Sequence, residues 1–181
     1  MIKSILTGLF IIFFVVVLHA REKPLTAGMK IDKTTRIRKG DYKFDAKATL
    51  EEAVIIIEGD NITVDFNNSE LKGSNQTKNP DEFFGVGIII RNSRNVTIKN
   101  LKARGYKVAL LVNNAEGLIL ENCDFSYNYR QHLNSSQEKE DVSDWMSYHH
   151  NENDEWLRYG AAIYLRNCNT ATIKNCRVTG G

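Results

Sequence analysis

The side chains with the widest chemical range are crowded into one stretch. Residues 129–159 (YRQHLNSSQEKEDVSDWMSYHHNENDEWLRY) hold His132, His149 and His150, and both tryptophans, Trp145 and Trp156. Imidazole beside carboxylate supplies an acid and a base near neutral pH, which cleavage of a glycosidic bond by hydrolysis or β-elimination requires. In that reading His149 or His150 accepts the proton, and Glu152, Asp154 or Glu155 is the partner acid or a cation ligand. Trp145, Tyr148 and Trp156 offer flat faces to sugar rings, while Arg130 and Arg158 could grip a uronate carboxylate by two parallel bonds.

Two metal chemistries also fit the composition of this stretch. A row of carboxylates could hold Ca²⁺ through oxygen. Asn151, Asn153 and Glu155 begin an EF-hand-like spacing, but Trp156 stands where that loop needs Gly. The adjacent His149 and His150 leave a copper or zinc site open, although no H-E-x-x-H pattern is present. Val142, Trp145, Met146 and His149 fall at helical spacing and predict a short helix over 141–150, capped by Asp141 or Ser143, with Trp145 and Met146 against a wall. The plain alternative is a solvated lid whose charges face water. Histidine, tryptophan and carboxylate enrichment in one excursion favours a functional segment.

What holds this segment is a repeat of twenty-two residues, read at 85–106 (GVGIIIRNSRNVTIKNLKARGY), at 107–128 (KVALLVNNAEGLILENCDFSYN) and, after the excursion, at 160–181 (GAAIYLRNCNTATIKNCRVTGG). Superposed, they align Val86, Val108 and Ala161; Ile88, Leu110 and Ile163; and Ile90, Val112 and Leu165. The alignment continues through Ile98, Leu120 and Ile173 and through Leu101, Cys123 and Cys176. Apolar positions run in steps of two, the strand period, and a unit this small must stack on its neighbours to bury them. Asn92, Asn114 and Asn167 share one turn column, and Asn100, Asn122 and Asn175 another. Asparagine tolerates the left-handed backbone of sharp bends and can bond to the amide stacked on it.

The expected fold is all-β, a right-handed parallel β-helix of about 22-residue coils with one long loop insertion. Segments such as IYLRNCNTATIKNC resemble the right-handed parallel β-helix family that includes pectate lyase-like and NosD-like proteins. The resemblance runs over roughly residues 54–181 and implies a scaffold that hosts many chemistries. It implies three function classes: a lyase or hydrolase of uronate-containing glycans, a non-catalytic surface or adhesion module that binds carbohydrate, and a NosD-like periplasmic accessory protein handling copper.

The remaining chain frames these coils. A basic start, an apolar run from Ile5 to Leu18 and Ala20 before Arg21 read as a signal peptide over 1–20, so a secreted or periplasmic location is expected. Residues 21–30 read as a polar tether, 31–53 as an N-terminal cap, and 54–181 as coils interrupted at 129–159. Residues 72–84 form a smaller polar excursion that Phe83 and Phe84 could lay against the coils. The repeat is still open at Gly181, so a solenoid continuing further is expected. With 24 basic and 22 acidic residues the charge gives no reason to expect nucleic acid as a partner, nor a membrane beyond the export signal. A monomer that meets polysaccharide as substrate or ligand is the expectation. Cys123, Cys168 and Cys176 lie inside repeats with no C-x-x-C pair, and stacked-strand spacing favours free core thiols over a disulfide.

Overall fold

Asparagine makes the corners. In the computed structural model, which describes residues 22–49, 51–73, 79–144 and 159–180, Asn92, Asn114 and Asn167 have φ of 48°, 55° and 50°. Asn100, Asn122 and Asn175 have φ of 59°, 54° and 53°. Most side chains are strained there, whereas a short amide is tolerated. Stacking adds a second role: Asn167 Nδ2 donates to Asn114 Oδ1 at 2.9 Å, and Asn95 Nδ2 to Asn61 Oδ1 at 2.8 Å.

Between the corners run eleven strands, β1 Met29–Ile31, β2 Thr35–Arg36, β3 Asp41–Lys43, β4 Ala53–Ile57, β5 Thr63–Lys72, β6 Val86–Arg94, β7 Thr97–Arg104, β8 Val108–Glu116, β9 Ile119–Glu121, β10 Ala161–Asn169 and β11 Thr172–Lys174. They form two parallel sheets: β1-β4-β6-β8-β10, and β11-β9-β7-β5-β2 with β3 also on β5. Val108 pairs with Val86, an offset of 22, and Ala161 pairs with Val108, an offset of 53, which is one coil plus the thirty-one residues of the insertion. The columns read from the sequence are therefore the columns of the sheets. Inward residues of both, among them Ile55, Ile88, Leu110, Val64, Ile98 and Leu120, are buried in one core. Cys123 lies in that core and its thiol is pushed up to about 12 by burial; all three cysteines are free.

Three features depart from a plain repeat. Residues 22–30, read as a tether, lie on the solenoid: Leu25 is buried, Lys23 bridges to Ile37, and β1 already begins at Met29. The cap region 31–53 is itself a coil in parallel register with the next. In β5 the register shifts between Asp65 and Ser69, where Asn67 and Asn68 both have positive φ. Val86, Val108, Ile89 and Leu111 also make a second apolar cluster apart from the main core, buried with Ala53, Ile56, Ala161 and Tyr164 packed on it.

The outer face of the second sheet carries charge in an ordered column. Glu22, Arg36, Asp65, Lys99, Glu121 and Lys174 stand on successive rungs, alternating in sign. Arg36 is 3.1 Å from Glu22 and 3.2 Å from Asp65, and Lys174 is 3.2 Å from Glu121. Such exposed pairs contribute little stability each. Their effect is on register, since a coil slipped by two residues keeps its apolar side inward but loses the pairs, Lys99 then standing beside Ile119 or Cys123 in place of Glu121.

The corner account separates two contributions at one position. Asn114→Gly keeps the left-handed bend and loses only the amide ladder, whereas Asn114→Ala loses both. Urea denaturation is expected to show the alanine variant less stable than the glycine variant by about 1 kcal/mol, the cost of left-handed backbone for a residue with a Cβ. Equal stabilities would remove the corner role.

Candidate functional site

The insertion leaves and rejoins the solenoid at a single point. Tyr129 N–H still donates to Tyr106 O at 2.9 Å, and its ring lies under the Lys107 ammonium, 4.5 Å from Nζ to the centroid. Burial lowers the pKa of Lys107. On return, Ala161 N–H donates to Lys107 O at 2.9 Å, and the preceding Gly160 has φ of +63°. A Cβ there would meet the Tyr129 ring at 2.5 Å and Lys107 O at 2.7 Å. A thirty-one-residue excursion can thus interrupt the stack without moving it.

Just past this exit the chain meets the smaller excursion. Pro80–Glu82 form a 3₁₀ turn, held at its start by Asn79 N–H donating to Glu82 Oε2 at 2.8 Å. Arg130 N–H donates to Pro80 O at 3.3 Å, joining the two excursions through backbone. Between them lies a hollow of about 770 Å³, lined by Asn79, Pro80, Asp81, Arg130, Gln131, His132 and Leu133. The volume is in the range of ligand sites. Its wall offers a guanidinium, an imidazole, a carboxylate and two amides, so it can pair an anion, hydrogen-bond hydroxyls and exchange a proton.

Residues 134–144 follow the lining segment along the chain and carry their own bonding. The Asp144 carboxylate accepts from Asn134 N–H at 2.9 Å and from Ser135 N–H at 2.6 Å, and Asp141 Oδ1 accepts from Ser143 N–H at 2.8 Å and Ser143 Oγ at 2.6 Å. The Asn134 amide, then the Ser135 groups, hold the Asp144 carboxyl below its ordinary value, helped by the His132 charge. The Ser143 side chain, then its amide, do the same for Asp141, and Asp144 opposes it. The helix predicted over 141–150 begins instead as a 3₁₀ turn at Val142–Asp144, with Val142 77% exposed.

Of the residues singled out from sequence, Arg130 lines the hollow. His149, His150, Glu152, Asp154, Glu155, Trp145, Tyr148, Trp156 and Arg158 lie outside the described residues. His132 and Asp81 were not assigned a role from sequence; no spacing rule joins position 81 to position 132, and among the described residues the Arg130 N–H to Pro80 O bond links the segments that carry them. Among the described residues no group of three or more His, Cys, Asp or Glu is placed to hold a metal ion. Among them, too, no helix is long and apolar enough to cross a membrane.

The comparison with known proteins agrees with this geometry. Residues 47–181 match the family model described as a right-handed β-helix region, and the chain belongs to that family. No curated protein and no solved structure matches the chain. The stacked parallel sheets are accordingly a right-handed parallel β-helix, and its two excursions build the hollow.

The bonding of Asp144 makes the 134–144 segment acid-sensitive. A carboxyl held below its ordinary value contributes stability that is complete above 3.8 and disappears as pH falls through the lowered value. Protection factors of the Asn134 and Ser135 amides, measured against the unstructured rate at the same pH, are expected to fall over that interval, ahead of those of the core strands. Asp144→Asn should show fast exchange at neutral pH already; slow exchange in that variant would contradict the assignment.

Proposed function

We propose that this is an exported β-helix protein that holds a uronate-containing polysaccharide on the outside of its coils, at the hollow between the two excursions. The observation that carries the reading is the position of Arg130 on a wall it shares with His132 and Asp81. A guanidinium is the side chain best matched to a carboxylate, by two parallel charge-assisted bonds. Gln131 and Asn79 add amide groups suited to sugar hydroxyls. His132 and Asp81 supply the imidazole and carboxylate that acid–base chemistry on the bound glycan needs.

The test is binding and turnover on a panel of polygalacturonate, alginate and a neutral glucan, with and without Ca²⁺. The acidic glycans are expected to bind and the neutral one not. Arg130→Ala should weaken binding about tenfold or more, as for a charged hydrogen-bonding partner worth about 1.5–3 kcal/mol, with Arg130→Lys intermediate. New reducing ends with ultraviolet absorbance would define a lyase, reducing ends alone a hydrolase, and binding without either a carbohydrate-binding module. Equal affinity for the neutral glucan, or an Arg130→Ala variant that binds normally, would overturn the reading.

A further inference from the structure

Left-handed backbone in this solenoid belongs to asparagine and glycine. The described non-glycine residues with positive φ are asparagine apart from Thr170 and Tyr127, and Tyr127, with φ of 59°, is the bulky one. An aromatic residue held there is an outlier that the surrounding structure must compel, and such outliers gather at binding sites. The stack shows what the bend itself asks for. Tyr127 O accepts from Gly105 N–H at 3.1 Å and Tyr127 N–H donates to Thr179 O at 2.9 Å, which sets Tyr127 on the rung between those of Gly105 and Gly180. The two glycines have φ of +78° and +61° and make the same bend without strain.

Burial does not account for the tyrosine. Its side chain is 53% exposed, unlike Phe125 two residues before it, which is fully buried. The stack instead makes room for the ring and steadies it. A Cβ at Gly180 would stand 2.5 Å from the ring's Cε1, so glycine there leaves the space that the ring fills. The Arg104 guanidinium lies 5.8 Å from the ring centroid, near the limit of about 6 Å for a cation–π contact, and is itself paired with Glu70. The ring is thus held and still open to water. A held aromatic surface covers the apolar face of a ligand with little ordering cost.

Its place in the fold ties this ring to the hollow. The smaller excursion departs after Gly73, whose N–H donates to Arg104 O at 2.9 Å, and the larger departs two residues after Tyr127. Both therefore leave from the corner that Gly73, Gly105 and Tyr127 stack to form. Arg130 of the hollow follows Tyr127 by three residues, a backbone span of no more than about 11 Å. We infer that Tyr127 is a second binding element for a glycan: a stacking platform for the carbon–hydrogen face of one sugar ring, while Arg130 holds the carboxylate of another unit of the same chain. This rests on the reading of the hollow as a glycan site. Stacking needs no charge, so Arg130 selects an acidic unit and Tyr127 adds affinity with chain length.

Affinities for a galacturonate dimer, a galacturonate hexamer and a neutral glucan hexamer separate the two roles. The wild type is expected to bind the acidic hexamer about fivefold or more tightly than the dimer, as one aromatic contact supplies. Tyr127→Gly should remove that gain and leave the dimer unchanged, and Tyr127→Phe, which keeps the ring, should keep the gain. Arg130→Ala should weaken dimer and hexamer alike. Urea denaturation adds a readout that a structural ring would move the other way: Tyr127→Gly should unfold at a urea concentration no lower than the wild type, because the bend is relieved. A hexamer gain that survives Tyr127→Gly overturns the inference and leaves the hollow standing, and a Tyr127→Gly protein that unfolds more easily assigns the ring to the corner and overturns it too. If Tyr127→Gly weakens both hexamers while Arg130→Ala is silent, the hollow is overturned and the platform stands. Binding of neither hexamer to the wild type overturns both.

Discussion

Everything in this protein hangs on the lateral hydrogen bonding that keeps one coil directly over the next. A coil of twenty-two residues has no core of its own; its inward side chains are buried only because the equivalent side chains above and below stand in the same columns. Once Val108 is paired with Val86, the partners of Leu110, Val112 and Leu120 follow without further choice. The same constraint explains why asparagine recurs at the corners. A bend must fall at the same height on every rung, and a residue that accepts positive φ and also bonds to its stacked copy satisfies both needs. The column of alternating charge on the outer face adds a penalty for a two-residue slip, which the uniform aliphatic columns inside would tolerate.

A scaffold of this kind separates stability from chemistry. The coils supply aliphatic and amide groups in fixed positions, while the groups that line the hollow sit on the excursions. The Lys107, Tyr129 and Gly160 contact shows how little the stack yields, since a single residue's carbonyl and ammonium anchor both ends of a thirty-one-residue insertion. Beyond the lining residues, the described part of the insertion holds itself in shape through side-chain carboxylates that accept backbone amides at Asp141 and Asp144.

The fold was legible in the sequence down to register, because the strand period and the asparagine columns each repeat three times and agree. Residues 22–30 were misjudged because their few apolar side chains show no repeat; Leu25 is buried only through contact with later coils. Arg130, singled out from composition as a cation in a segment enriched in aromatic and acidic residues, lines the hollow. Asp81 and His132 were not singled out, since their proximity depends on a backbone contact between two excursions fifty residues apart.

What the sequence alone determined is the repeat: its length, its inward columns, its corners and the place where it is interrupted. These are local and periodic properties, and each follows from the residue types within one coil. The tertiary structure decided what the repeat cannot encode, namely which excursions meet, which side chains share the hollow, and that charges on successive rungs of the second sheet alternate in sign. Such features arise from residues distant in the chain, and stacking is what brings them side by side.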